Sequence, residues 1–397
     1  MDPDTTFLVI VETQEPASAA SNRPSATTPS DVPRIVGIHQ AALLSLMRHA
    51  APRVQPVRPA GLRTVRIRRR EIISPFGSLP TFEECNLSTL LQVSDRILVK
   101  VPLYTSNSSP RRISGHSQRA IDRSFERMRR EQLILDTVLM NPHPNLIAPL
   151  CIIGQGTFLP ILKECILDRL ERDQNANEDT TPANQRLRLR WVKQIASALA
   201  WFESIQYVHG AVDTTHIMLD HHDNIKLIDF GNSVPVGTMA LGDHHPFLPR
   251  WLYGVHSHQS EQWAFAWAVC EIYQDESLDD YDIPGGTIDL DTYPFPSLEG
   301  SPFASIARNA WRLRYTSMAA LSRDVKRVHD ENMPRLHRLA FAAKDARDAL
   351  SERWKMRRMT REAEEAYLRL MRQGTYGLCF VMDLERAYAD FFFACRL

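Results

Sequence analysis

The residues able to do chemistry gather in one stretch, Tyr207 to Ser233, YVHGAVDTTHIMLDHHDNIKLIDFGNS. It carries Asp213, His216 and Asp229 among short apolar runs. The pattern reads as an apolar strand, a polar loop, a run at Ile217, Met218 and Leu219, a turn at His221 to Asn224, and a second run at Ile225 to Ile228. Asp229-Phe230-Gly231 then follows. Two further groups lie upstream. Lys100 interrupts the β-rich run Ile97-Leu98-Val99-Lys100-Val101, where an inward-pointing Lys is odd by itself. Glu131 sits in a helical pattern and, taken alone, is an ordinary solvated carboxylate. His244, His245, His256 and His258 bring no Cys or carboxylate at ligand spacing, so no metal cluster is expected of them.

The elements that must position these groups follow from periodicity and punctuation. Ser88 to Pro102 predicts a β-hairpin turning at Ser94-Asp95-Arg96. Arg119 to Met140 has helical spacing (Ile121, Phe125, Met128, Leu133, Leu135, Val138) and stops before Pro142 and Pro144. Leu146 to Ile153 and Phe158 to Leu162 predict two antiparallel strands. Asp173 to Gln185 reads as a polar connector, and Leu187 to Ser204 as a core helix. Residues 333 to 372 form a long charged helical pattern whose excess of Arg and Lys suits a solvated face or an acidic partner.

The flanks differ in character. Residues 1 to 33 are rich in Ser, Thr, Pro and Ala, and disorder is expected. Ile35 to His49 predicts a short amphipathic helix, broken by Pro52, Pro56 and Pro59. Arg63 to Arg70, RTVRIRRR, reads as an edge strand with solvated arginines, or as a nuclear localisation or nucleic-acid patch. Tyr104 to His116 reads as a loop. The tail from Phe380 to Leu397 is apolar and aromatic, and should bury itself on the rest of the chain or against a partner.

The chain has 397 residues, enough for one large two-lobed domain with extensions or for two domains. An apolar fraction of 44% supports a packed core, and zero formal net charge argues against a whole-protein draw to nucleic acid or membrane. The six cysteines are scattered with no C-x-x-C pair, which points to reduced thiols of the cytosol or nucleus. No signal peptide is visible, and no run is long enough to span a bilayer.

Set in order, these features resemble a eukaryotic protein kinase, whose H-R-D-x-x-x-x-N loop precedes D-F-G. In that family the catalytic Asp lies eighteen residues before the Asp of D-F-G. Counting back from Asp229 reaches Ala211, so the frame is kept and the base is absent. Where the family has a metal-binding Asn, this chain has His216. The resemblance makes Asp229 a metal ligand and Lys100 the phosphate-holding Lys of the V-A-I-K strand. Glu131 becomes the partner of Lys100 on the following helix, ahead of Pro142-His-Pro-Asn-Leu-Ile. It places a Gly-rich loop near Ser74 to Glu84, where only Gly77 is found, and puts Lys163 near the segment that contacts adenine. Ser260-Glu-Gln-Trp-Ala-Phe matches the helix that supports the catalytic loop, with Glu261 for the usual Asp, and Ser305 to Met318 matches the late C-lobe. A-P-E is missing; Leu248-Pro249-Arg250 stands nearby, so the family's Glu–Arg pair, in which Arg314 would be the Arg, would become like-charged and the segment must be anchored otherwise.

The resemblance implies an α+β, bilobal kinase-like fold with a small β-rich N-lobe and a helical C-lobe. The expected division is a disordered tail at 1–33, an N-terminal extension at 34–72, a kinase-like domain at 73–330 with its lobes meeting near 165, and a helical extension at 331–397. It implies a pseudokinase with weakened ATP and Mg²⁺ binding that acts through a protein partner, with no nucleic acid or membrane. Asp213 is the one carboxylate placed to rescue the base function. The alternatives are an active divergent serine/threonine kinase and a small-molecule phosphotransferase. The H-G-x-V-D-x-x-H-I-M-L-D form and the W-R-L-R-Y-T-S-M ending look like divergent fungal kinase-like proteins.

Overall fold

The structure, a computed structural model, describes residues 76, 79–103, 115–153, 156–176, 181–239, 255–274, 295–298 and 300–372, and the backbone of 6–7 and 395–396. Apart from those last four residues, the expected disorder at 1–33 and the aromatic tail at 380–397 lie outside the described residues. So do the helix at 35–49, the arginine run at 63–70, His244, His245 and Arg250, and most of the loop at 104–116.

Strands β1 (Thr81–Cys85), β2 (Ser88–Gln92), β3 (Ile97–Pro102), β4 (Cys151–Ile153) and β5 (Gly156–Pro160) form an antiparallel sheet in the order β1-β2-β3-β5-β4. Helix α1 (Gly115–Met140) crosses between β3 and β4. The period of two along β3 decides what meets what. Ile97, Val99 and Val101 join a buried cluster on one face with Phe76, Leu91 and Phe158. Lys100 therefore points from the opposite face, where α1 lies. The fourth strand starts later than the spacing predicts, at Cys151. Leu146 instead makes a single parallel bridge to Leu227, and Ile147 and Asn145 exchange backbone hydrogen bonds with the same residue.

The rest is helical. Strand β6 (Glu164–Cys165) leads straight into α2 (Ile166–Asn175), so the expected connector is helical at its start. Helix α3 (Pro182–Ser204) begins as a helix should: Pro182 takes the first position, and the Thr181 hydroxyl accepts from Asn184 N. Its apolar face packs under β7 (Tyr207–Val208), β8 (Ile217–Leu219) and β9 (Ile225–Leu227), and β10 (Val234–Pro235) pairs antiparallel with β7. Helix α4 (His258–Gln274) is buried along Ser260 to Ile272 and so serves as the core post. Trp263 stacks on Trp311 of α5 (Ala304–Trp311) at 3.8 Å between ring centroids. Both amide atoms of Gln262 bond the backbone of Tyr315, and α6 (Met318–Asn332) closes the layer.

Helix α7 (Arg335–Arg372) spans both halves. Near its start, the buried Arg190 of α3 pairs with Asp345 and sits 4.8 Å from the centre of the Phe341 ring. His222, in the turn after β8, lies 3.1 Å from Asp348. Farther on, Met359, Ala363, Tyr367 and Leu370 enter the cluster beneath the five-stranded sheet, and the Thr360 hydroxyl donates to Leu150 O at 3.2 Å. Tyr367 lies against Phe76 and Phe158, with centroids 6.0 and 6.5 Å away. Leu336, Leu339, Leu350 and Trp354 of the same helix are exposed. Among the described residues, no helix is long and apolar enough to cross a membrane, and Cys85, Cys151, Cys165 and Cys270 are free thiols.

Candidate active site

The site is a set of charges converging on Asp229. Its carboxylate is aimed by a left-handed backbone, φ 59° and ψ 73°, which a non-glycine residue adopts only when its surroundings hold it there. Phe230 supplies that hold. It is fully buried and packs edge-on to Phe202 of α3 at 5.6 Å and to His209 at 5.5 Å. His209 is buried as well, and its ring faces Ile228 O at 3.2 Å. Burial lowers its pKa to about 4, so the ring is neutral.

Lys100 reaches down from β3 and touches two carboxylates, Glu131 at 2.8 Å and Asp229 at 2.9 Å. Lys100 and Glu131 are both nearly inaccessible, so neither charge is tolerable without the other. Burial pulls the Lys100 ammonium down, but Glu131 and Asp229 more than offset it, and the group stays charged. The sequence-derived pairing of Lys100 with Glu131 is thus present as a contact, and Asp229 joins it.

His216 occupies the loop position opposite. Its Nδ1 lies 2.9 Å from Ala211 O and 3.0 Å from Asp213 Oδ2, and its Nε2 lies 3.6 Å from Asp229 Oδ2. Burial would lower this imidazole, but the bond to Asp213 and the two nearby carboxylates raise it. Asp213 itself caps the 3-10 turn Thr214–His216, accepting from His216 N at 3.0 Å and from the Thr215 hydroxyl. Both of its oxygens are therefore committed to the loop. Ala211, at the base position, is buried and presents a methyl group.

The loop is held from below by Glu261 of α4. Its two oxygens accept from His209 N at 3.0 Å and Gly210 N at 3.1 Å, so the extra methylene over Asp is absorbed without losing the contact. Gly210 has φ +79°, and a Cβ there would fall 2.5 Å from Asn232 O. Burial pushes the Glu261 carboxyl up to about 7, against the lowering effect of the two N–H donors. Farther along α4, Glu271, which stands where the family's pattern for this helix ends in Glu, accepts from the Thr214 hydroxyl at 2.7 Å and from Trp267 Nε1 at 3.1 Å, a second post under the loop.

One expectation is corrected and one is refined. The turn between the first two strands is Asn86–Leu87, just past the window Ser74 to Glu84, and it contains no glycine. Phe76, inside that window, is buried beneath the sheet with Phe158 and Tyr367. The turn is also tied to α1: the buried Ser124 hydroxyl donates to Leu87 O at 2.6 Å and accepts from Leu103 N at 2.7 Å. Lys163 does lie in the segment that joins the two halves, but its ammonium is engaged by carboxylates there. It pairs with Asp223 at 2.7 Å and Glu164 at 3.2 Å.

One participant was missed. Arg127, one helical turn before Glu131, brings its guanidinium to 3.7 Å from Asp229 Oδ2. Gly231 makes room for it, since a Cβ there would lie 3.0 Å from Arg127 Nε. The i, i+4 relation to Glu131 was the available signal, but four arginines between 123 and 130 hid it. Burial would raise the Asp229 carboxyl, yet Lys100, His216 and Arg127 together hold it far below the usual carboxylate range.

Comparison with known proteins agrees with this geometry. The family model for protein tyrosine and serine/threonine kinases matches residues 116–283. A curated relative from Arabidopsis thaliana, leaf rust 10 disease-resistance locus receptor-like protein kinase-like 1.2, is 26% identical over 172 residues. That alignment covers 39% of this chain and 26% of the relative, so the chain spans about a quarter of the length of the curated relative it matches. A β-sheet lobe, a helical lobe and a kinase family match together support the protein kinase-like superfamily.

Domains of this kind use ATP and Mg²⁺ in general. The residues here fit Mg²⁺ poorly. That ion demands near-octahedral oxygen ligation, and Asp229 offers a carboxylate already shared among Lys100, Arg127 and His216. No group of three or more His, Cys, Asp or Glu able to hold a metal occurs among the described residues.

Proposed function

We propose that this chain is a catalytically impaired kinase-like module, a pseudokinase that acts by binding a protein partner and engages ATP weakly. The kinase-like unit runs from about residue 73 to 330, with the segment from 331 onward as an extension. The observation that carries the reading is the pair Ala211 and Asp213. The base position holds a methyl group, and the nearest replacement carboxylate is spent on capping its own loop and on His216. A positioned base contributes roughly 10²–10⁴ in rate, and phosphoryl transfer further relies on metal ions for charge neutralisation. The same occupancy of Asp213 counts against an active serine/threonine kinase.

The test is transfer of labelled γ-phosphate from ATP with Mg²⁺ to mixed protein acceptors, comparing the full chain with Asp229→Ala. The expected result is no incorporation above that of the variant. Incorporation that disappears in Asp229→Ala would overturn the reading.

A further inference from the structure

The poor fit for Mg²⁺ has a positive side. Arg127 projects from α1 to Asp229, the carboxylate that the kinase resemblance makes a metal ligand, and it carries a permanent charge. At 3.7 Å its contact with Asp229 is an ion pair outside hydrogen-bonding distance, and the guanidinium makes no hydrogen bond among the described residues. Its planar fork of N–H donors is therefore uncommitted, in the form best suited to a phosphate. Lys100 has three donors and spends two of them on Glu131 and Asp229. Relative to the kinase frame, the site has lost an acid at Ala211, and it holds a cation in Arg127. Lys100 and Arg127 balance Glu131 and Asp229 with no metal needed, and a divalent cation would enter beside charges of its own sign. The β1–β2 turn points the same way: without glycine, and hooked to Ser124, it gives no backbone cradle for phosphates.

We propose that the cleft takes a nucleoside di- or triphosphate as the free anion, with Arg127 standing in for the metal, so that Mg²⁺ is not required for binding and does not improve it. The inference rests on the kinase-like reading and assigns its ligand class and its metal independence. Arg127 is a binding residue here, and Gly231 is what lets it lie across the loop.

The experiment measures ATP and ADP binding to the full chain by calorimetry, once in EDTA and once in excess Mg²⁺, for the wild type, Arg127→Gln and Arg127→Lys. Mn²⁺ alone is titrated in parallel and followed by its electron paramagnetic resonance signal. Binding is expected in EDTA, equal to or tighter than in Mg²⁺. Arg127→Gln should weaken it about tenfold or more, the scale of one charge-assisted hydrogen bond. Arg127→Lys should retain an intermediate affinity. Mn²⁺ should show no protein-bound fraction that depends on Asp229. The proposal is overturned by absence of binding in EDTA at millimolar nucleotide, by tightening of about tenfold in Mg²⁺, by unchanged affinity in Arg127→Gln, or by a Mn²⁺ site lost in Asp229→Asn. Should Arg127→Gln fail to fold, judged by circular dichroism, the wild-type metal comparison and the Mn²⁺ titration decide alone. Absence of binding in EDTA together with absence of phosphoryl transfer overturns this inference only. Mg²⁺-dependent transfer overturns the impaired-module reading as well.

Discussion

Replacing Lys100 by Met is the sharpest perturbation of the charge network. The Lys100 and Glu131 side chains keep only 10% and 4% of their exposure, so the variant leaves a carboxylate buried against a thioether. Breaking a buried pair from one side costs about 3–5 kcal/mol. Taking about 3 kcal/mol for a chain of this size, the melting temperature should fall by roughly 4–6 °C. Burial already pushes the Glu131 carboxyl up while Lys100 opposes it. Without Lys100, burial acts less opposed and favours the protonated carboxyl further, so the loss should be larger at about pH 8 than at about pH 5.5. Removing both charges, Lys100→Met with Glu131→Leu, should recover most of the loss, because an apolar pair of similar volume is often no worse than a buried ion pair. Asp229 keeps Arg127 and His216 in that protein. Urea unfolding of the four proteins, followed by circular dichroism at both pH values, gives the cycle. A Lys100→Met variant within about 0.5 kcal/mol of wild type, the range of ordinary surface changes, would refute the reasoning.

Two other outcomes are expected. Tyr367→Ala removes a ring packed between Phe76 and Phe158 and should cost about 3 kcal/mol; limited proteolysis should then cut α7 faster, and an unchanged cleavage rate would mean that the helix is not held by the sheet. Because the folded Glu261 carboxyl titrates near 7 against 4.5 unperturbed, the folded state binds the extra proton between those values, so stability should fall as pH rises through that window, by roughly 3 kcal/mol in full. Glu261→Gln cannot titrate and should lack that fall in unfolding free energy measured against pH.

Much of this site could be read from the chain because its signals are local. Alternating apolar runs around a short turn gave β8, β9 and the Asp229 loop, whereas Glu131 was paired with Lys100 only through the resemblance to the kinase frame, its own spacing reading as a solvated carboxylate. The opposite happened where long-range packing decides. The Asn86–Leu87 turn has no glycine to mark it, and only the pairing of Cys85 with Ser88 and the bond from Ser124 fix its place. Arg127 differs in sequence from Arg123, Arg129 and Arg130 only in lying four residues before Glu131, and it matters because of where Asp229 turns its carboxylate. In α7, Met359, Ala363, Tyr367 and Leu370 follow helical spacing, yet Leu368, an equal apolar residue, is more than a third exposed. Which stripe is buried depends on a sheet more than two hundred residues earlier in the chain.

Two bodies joined by one strand can rock about that strand, and kinase-like lobes are joined near residues 161–165. Helix α7 adds a second tie on another line, riveted to α3 through Arg190 and Asp345 and to the sheet through Tyr367. A linkage fixed along two lines loses its swing. The angle between the lobes then behaves as a built dimension instead of a coordinate that a ligand sets, and any widening of the cleft has to draw a thirty-eight-residue rod out of its seat at one end or the other.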